Sequence, residues 1–323
     1  MFRCRSRYEW IVVAVALVGL FALVARTAAG GEIVAWGWDP YGQVSGVPSG
    51  TDFVEVAGGQ FHSLARRANG SIVSWGDDGD HQVSDTPSGT GFTDIAGGGY
   101  HSVARQAGGS LVSWGKNNYD QVGDTPAGTD FAAVAAGLWH SVALQDDGSI
   151  ASWGYDGSNQ VTDTPTGSDF VAVAAGQSHS LALREDGTIV SWGADYSNQV
   201  SHTPSGTDFI AVAAGMDHSL AVHDDGTLVS WGMPLDESPP TGSDFVDVAA
   251  GEAHSLALRQ DGSIVAWGTD LDTGVLTDVP TEADFVNVSS GLNHGLALTP
   301  EPATLALMVL GGAGLLVRRR RGR

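Results

Sequence analysis

The stretch from residue 169 to 206, DFVAVAAGQSHSLALREDGTIVSWGADYSNQVSHTPSG, is one copy of a phrase that returns along nearly the whole chain. Its Trp-Gly pair recurs at Trp36, Trp75, Trp114, Trp153, Trp192, Trp231 and Trp267, five times at a spacing of 39 residues and then at 36. A histidine keeps step with it, at His62, His101, His140, His179, His218, His254 and His294. The chain is therefore a repeat array and has to be read unit by unit.

Each unit holds four short segments separated by turn signals. FVAVAAG alternates large apolar with small residues, and HSLAL alternates polar and apolar at period two, so both read as strands. Asp-Gly, as at Asp186-Gly187 and Asp261-Gly262, stands between HSLAL and the β-branched run TIVSW and predicts a tight hairpin into a third strand. A brief fourth segment centres on Gln-Val (Gln82-Val83, Gln160-Val161, Gln199-Val200) and reads as an outer strand, ended by Thr-Pro-x-Gly-Thr-Asp. Four strands in about 39 residues is the size of a propeller blade. A helical solenoid is excluded, because no unit has an apolar i, i+3, i+4 pattern between its Gly and Pro breaks.

The array starts in mid-unit at Glu32, with only a third and fourth segment, and stops at Leu298 after only a first and second. The two halves make one blade. The expected fold is thus all-β: a seven-bladed β-propeller of four-stranded blades, closed by N-terminal strands that complete the last blade and so remove an open sheet edge. Blade six departs from the pattern. Its loop, residues 233–240, is three residues short, lacks Gln-Val and carries Pro234, Pro239 and Pro240, so its outer strand is expected to be weak or absent and its edge is a possible place for a neighbour to dock.

The pattern G-x-x-H-S-L-A-L-x-x-D-G-x-I-V-x-W-G resembles the repeat of the regulator of chromosome condensation family over nearly all of residues 32 to 298. The units are shorter than those of eukaryotic members. With W-G-x-x-x-x-G-Q (Trp36, Gly37, Gly42, Gln43), the chain is closer to compact secreted bacterial propellers, among them a protein inhibitor of β-lactamases. The resemblance implies protein binding without catalysis; the propeller is expected to be monomeric.

Both ends carry address signals. Residues 1–29 hold Arg3, Arg5 and Arg7, an apolar run from Ile11 to Val24 and then Thr27-Ala28-Ala29, the plan of a secretory signal peptide. The sole cysteine, Cys4, lies before that run, so the mature propeller, residues 30–299, has no disulfide. At the other end Pro300, Glu301 and Pro302 precede an apolar run over 303–317, expected to form a short transmembrane segment, and then Arg318, Arg319, Arg320 and Arg321. Fifteen residues is short for a hydrocarbon core that usually takes ~20, and the arginines favour the cytoplasmic side. Residues 300–323 resemble the PEP-CTERM sorting signal. That resemblance implies transient anchoring in the inner membrane, removal of the tail by an exosortase, and delivery to the cell surface or an extracellular matrix. The other reading of the same residues is a plain C-terminal anchor.

Charge narrows the partners. Nine of the 15 Lys and Arg lie in the two ends, leaving six, and 35 of the 37 acidic residues lie between them, so the mature body carries about −29. Such a body repels phosphate backbones, which excludes nucleic acid as a partner. It also suits an acidic structural component of an extracellular matrix, the alternative to a recognition module. A lower-ranked alternative is an enzyme or enzyme inhibitor on a propeller scaffold. No catalytic set supports an enzyme: there is no G-x-S-x-G, no mature cysteine and no pair of carboxylates set apart by position. The seven histidines, six of them followed by Ser, read as repeated structural residues in preference to a metal ring, and no cofactor is expected. The acidic turns Asp77-Asp78-Gly79-Asp80 and Asp146-Asp147-Gly148 offer oxygen ligands for calcium, but Asp-Gly is already what a hairpin needs.

The repeats differ from one another in two loops: the dipeptide before each His and the five residues after each Trp-Gly. Connections alternate between the two faces of a blade, so both loops decorate one face. That face carries Phe61, Tyr100 and Trp139 from the first loop, beside Gln60, Gly99, Leu138, Met216 and Asp217. The second loop adds Trp38, Tyr41, His81, Tyr119, Tyr155 and Tyr196. Aromatic side chains on loops above a rigid scaffold give large contact area at low entropy cost, so these nine are the candidate ligand-binding residues for a protein or polysaccharide.

Overall fold

The structure is a computed structural model, and it describes residues 30–301 apart from 234, 236 and 270. The leader (1–29), the apolar run 303–317, Pro302 and the arginine cluster lie outside the described residues. Among the described residues no helix is long and apolar enough to cross a membrane.

The described residues form 21 strands in seven antiparallel sheets of three. After β1 (Ile33–Gly37) come β2 (Phe53–Gly58), β3 (His62–Arg67) and β4 (Ile72–Gly76), then β5 (Phe92–Gly97), β6 (His101–Gln106) and β7 (Leu111–Gly115). The third sheet is β8 (Phe131–Ala136), β9 (His140–Gln145) and β10 (Ile150–Gly154), and the fourth is β11 (Phe170–Ala175), β12 (His179–Arg184) and β13 (Ile189–Gly193). The fifth is β14 (Phe209–Ala214), β15 (His218–His223) and β16 (Leu228–Gly232), and the sixth is β17 (Phe245–Ala250), β18 (His254–Arg259) and β19 (Ile264–Gly268). The last holds β20 (Asn287–Ser290), β21 (His294–Leu298) and β1, which lies beside β21 with Ile33 opposite Leu298 and Gly37 opposite His294.

The expected hairpins are built by their Asp-Gly turns. Gly187 has φ 80°, a conformation without steric cost only for glycine, and the Asp186 carboxylate accepts from the Thr188 backbone N–H at 2.9 Å. Asp147, Asp225 and Asp261 repeat that contact. The second and third segments are therefore fastened locally, while the core lies between sheets. Leu64 and Ile72 of the first sheet pack with Phe92, Ile95, Ala104 and Trp114 of the second, whereas Ala65 and Trp75 face the other way, onto Ile33, Leu296 and Leu298 of the last sheet. Period-two alternation thus gives every sheet a leucine-type face and an alanine-plus-tryptophan face, which interlock with the neighbours. Fully burying one such leucine contributes about 1.5–3 kcal/mol.

The first strands stand innermost, and a circuit of backbone bonds joins them around the axis. Gln60 N donates to Gly98 O (3.1 Å), Gly99 N to Gly137 O (3.0 Å) and Gln177 N to Gly215 O (3.1 Å), and the seventh bond runs from Leu292 N of the last sheet to Gly59 O of the first (3.3 Å). A second circuit, of side chains, lies beside it. His62 Nε2 bonds Ser102 Oγ at 2.8 Å, His101 bonds Ser141 at 2.7 Å, and so on to His294 and Ser63 at 2.9 Å. Adjacent side chains on a strand point to opposite faces, so each His meets the Ser of the next sheet and not its own. Gly295 interrupts the series, because a side chain there would collide with the Trp36 ring; Ser290 on β20 takes over and bonds His254 at 2.8 Å.

The expected fourth strand does not form. Gln43-Val44 and its counterparts fold into a turn, with Gly46 N donating to Gly42 O and Asp85 N to His81 O. The residue before each Gln is left-handed, with φ of 79° at Gly42, 64° at His81, 59° at Asp120, 60° at Asn159 and 63° at Asn198, and an extended strand has no place for that conformation. An Asp or Asn caps each turn: Asp78 Oδ1 accepts from Val83 and Ser84, and Asn117 Oδ1 from Val122 and Gly123. The turn locks the next sheet, since Trp75 Nε1 donates to Gln43 O at 2.8 Å and Trp114 Nε1 to Gln82 O at 3.0 Å.

The shortened sixth loop removes one such lock. Trp267 is buried and its Nε1 has no partner among the described residues, whereas Trp36 finds Val275 O at 3.1 Å. Val275 stands where other repeats have glutamine. Replacing Gln121 by that valine is expected to cost about 1–2 kcal/mol in chemical denaturation, because the buried amide Oε1 that accepts from Tyr119 N at 2.8 Å is lost and the N–H left bare. An unchanged midpoint would show that the turn stands without its amide.

Candidate binding face

The two variable loop sets meet at one end of the sheets, and their rings touch in an unbroken series. Trp38 packs edge-on against Tyr41 (centroids 6.0 Å apart), both contact Phe61 (5.7 and 5.3 Å), and Phe61 contacts Tyr100 (5.9 Å). Tyr100 stacks on Trp139 at 4.7 Å and 15°, Trp139 meets Tyr119 at 5.4 Å, and Tyr119 meets Tyr155 at 4.8 Å. Seven of the nine candidate side chains form this arc, carried by six loops of successive sheets. Each ring pair contributes about 0.5–1.5 kcal/mol beyond its area, so the arc arrives ordered before any partner does. Tyr41 and Tyr119 remain 49% and 44% exposed.

The other two candidates stand apart. Tyr196 is 82% exposed, and its hydroxyl reaches only Ser158 Oγ at 3.3 Å. His81 occupies the left-handed position of its turn, with Nδ1 on Ser84 Oγ at 3.2 Å. Its place in the loop is set by backbone conformation.

Sequence reasoning passed over Lys116, the only lysine in the chain. Its ammonium lies 4.8 Å from the Tyr100 centroid and 5.3 Å from that of Trp139, and pairs with Asp80 at 3.1 Å. The amine thus clamps the stacked pair from the side. Burial holds the Tyr100 phenol above its ordinary value, and the Lys116 charge opposes that rise. Its uniqueness was the available signal. A single cation in a loop otherwise rich in Asp and Asn has to find a counter-charge.

The acidic turns are engaged within the protein. Asp77 accepts from Gln82 Nε2 at 2.9 Å, Asp78 caps its turn, Asp80 holds Lys116 and Asp147 accepts from Ser149. Among the described residues no three His, Cys, Asp or Glu side chains converge as a metal site would require. Inside the arc, around the axis, lies a recess of about 180 Å³, lined by the ends of the innermost strands and the first residue of each first-loop dipeptide.

An all-β propeller-like fold of seven three-stranded sheets, with its variable side chains on inter-strand loops, defines a repeat scaffold of the binding type. Residues 53–82, 92–121, 131–160, 170–199, 209–234 and 245–271 match the regulator of chromosome condensation (RCC1) repeat, and the chain belongs to that family. Residues 298–321 match the PEP-CTERM protein-sorting motif, which supports export and sorting to the cell surface. No curated protein matches the chain. Similar solved structures include the ectodomain of the receptor kinase CR4 of Physcomitrella patens (23% identity over 75% of this chain and 68% of that one, TM-score 0.64). Human WBSCR16 is 17% identical over 84% of this chain and 100% of its own, with a TM-score of 0.68. Prp20p of Saccharomyces cerevisiae is 18% identical over 85% and 92%, with a TM-score of 0.69. At these identities the likeness is one of fold. These matches indicate no catalytic family.

Proposed function

We propose that the protein is a secreted or cell-surface binding module that recognises a protein or polysaccharide through its aromatic arc, and that an exosortase processes its tail. The same reading takes the seven sheets as a closed propeller clasped by β1. The observation that carries it is the unbroken contact of seven rings across six loops, on a scaffold whose other turns hardly vary. The ends of the fold agree with it. Thr299 N donates to Glu32 O at 3.1 Å, at the ends of β21 and β1 farthest from the arc. A tail leaving after Thr299 therefore starts from the opposite face and leaves the arc free while the chain is tethered. The charge of about −29 favours a second reading, an acidic structural component of a matrix.

The test is to pass the full chain, in mild detergent, over a glycan array and over cell-envelope and exopolysaccharide fractions, beside a Tyr100→Ala, Trp139→Ala double variant. Binding by the wild type that falls at least about 30-fold in the variant is the expected result, since central aromatic anchors are each worth about 2 kcal/mol or more. Binding equal in both would move the site off the arc, and binding by neither would favour the matrix reading.

A further inference from the structure

The axial recess is chemically different from the arc that surrounds it. Its lining includes Gln60, Leu138, Gln177, Met216, Glu252 and Leu292, each the first residue of its loop dipeptide; Gln60 and Leu138 directly precede Phe61 and Trp139 of the arc. Its floor has no donors to spare. The backbone N–H groups of Gln60, Leu138, Gln177, Met216, Glu252 and Leu292 are all spent on carbonyls of the next sheet, and those of Gly59, Gly98 and Gly137 on the carbonyls of their own His residues. One acceptor is left over: the Glu252 carboxylate uses one oxygen, Oε2, to accept from Asn293 Nδ2 at 2.7 Å and has its second oxygen for a ligand.

No lysine, arginine or histidine lines the recess, so Glu252 is its only charge. The methyl and thioether groups of Leu138, Met216 and Leu292 add apolar surface to the same lining. About 180 Å³ is roughly six times the ≈ 30 Å³ share of a liquid water, room enough for a cationic head on a short alkyl stem.

We infer that the axial recess is a subsite for a cationic side chain of the partner, a guanidinium or ammonium group that pairs with Glu252 while its stem packs on Leu138, Met216 and Leu292. The inference rests on the proposed binding face and names its partner as a protein with a protruding basic residue. The negative field of the whole body draws such a group toward the recess and rejects an anionic one. Charge-assisted hydrogen bonds are roughly twice as strong as neutral ones, which makes the recess selective for charge as well as shape.

The test titrates the full chain in mild detergent with Nα-acetyl-arginine methylamide and, separately, with the neutral isostere Nα-acetyl-citrulline methylamide, following ligand saturation-transfer NMR. Saturable binding of the arginine probe, about tenfold tighter than the citrulline probe and lowered about tenfold by Glu252→Gln, is the expected result. The Tyr100→Ala, Trp139→Ala variant, which leaves the recess intact, should bind the arginine probe like the wild type. Equal binding of the two probes, or no saturable signal up to their solubility limits, overturns the cationic subsite. If that happens while the double variant still loses its macromolecular ligand, the recess reading fails and the face reading stands. If the probe binds but the double variant keeps its ligand, the reverse holds.

Discussion

Acidifying the protein from about pH 7.5 to about pH 5 is expected to remove most or all of its folding stability. Seven imidazoles are sealed between sheets with a serine on Nε2 and no protein partner on Nδ1. Burial, reinforced by the neighbouring imidazole of His294, lowers His62 to about 3. Burial likewise lowers His101, His179 and His254 to about 3 and His140, His218 and His294 to about 4. These values lie below the ordinary 6.5, so the unfolded chain takes up protons before the folded one does. The stabilisation is whole above about pH 6.5 and is lost as the pH falls from there toward 3–4. Each group loses about 1.4 kcal/mol per pH unit, hence about 2 kcal/mol at pH 5 and about 14 kcal/mol for seven, against a typical total of 5–15 kcal/mol.

Two carboxylates oppose this. Burial raises Asp247 to about 6, and burial followed by the charge of Glu55 raises Asp94 well above its ordinary value, so protonating either one in the fold adds stability as the pH falls. Asp247 returns about 1.4 kcal/mol at pH 5, and two groups do not offset seven. The measurement is the thermal midpoint against pH, by tryptophan fluorescence and circular dichroism. Its slope gives the number of protons taken up on unfolding. A midpoint flat between about pH 7 and 5 would sink the argument, and so would a slope corresponding to one or two protons.

The sequence made the order of the first three segments legible, because period-two alternation, Asp-Gly and the Trp spacing all act within a few residues. It misled at Gln-Val, where a β-branched residue beside a polar one mimics an outer strand. A contrary signal was present. Gly42, Asp120, Asn159 and Asn198 before the glutamine, and Asp39, Asp78, Asn117, Asp156 and Asp195 five residues before the valine, are the residue types of left-handed and capping positions. The His-Ser circuit was not legible for a different reason: adjacency in sequence hides the fact that neighbours on a strand face opposite ways, so the partner sits about 40 residues on. The aromatic arc was legible as a set of loop residues on one face, since blade topology alone aligns the loops. Its continuity was not, because which rings touch depends on how neighbouring sheets splay, and neither Lys116 nor the axial recess has a local motif.

The circuit around the axis makes Gly176→Ala a strongly damaging small substitution. Gly176 does not need glycine for its backbone angles. It needs it for space, since a Cβ there would stand 2.3 Å from Gly215 O and 2.5 Å from the Cε1 of His179. Both neighbours are committed. Gly215 O accepts from Gln177 N at 3.1 Å, and the His179 ring is held to Ser219 Oγ at 2.9 Å. Neither is the far end of a flexible side chain, so the methyl can be housed only by breaking the backbone bond, the imidazole bond or both. Overpacking of about 1–3 kcal/mol plus one or two stranded buried polar groups at about 1–3 kcal/mol each puts the cost near 4–6 kcal/mol, a large share of a domain's stability. Gly108, on an exposed turn where an added methyl would meet no atom within 4 Å and the backbone is not left-handed, is the control; its replacement by alanine should change stability by no more than about 0.5 kcal/mol. Chemical denaturation of both variants decides the matter, and a Gly176→Ala protein as stable as the control would mean that the sheets can part at the axis without penalty. Gly176 and Gln177 also line the recess, so a partial loss of stability should appear together with weaker binding of the arginine probe, because the floor that fixes the acceptor would have moved.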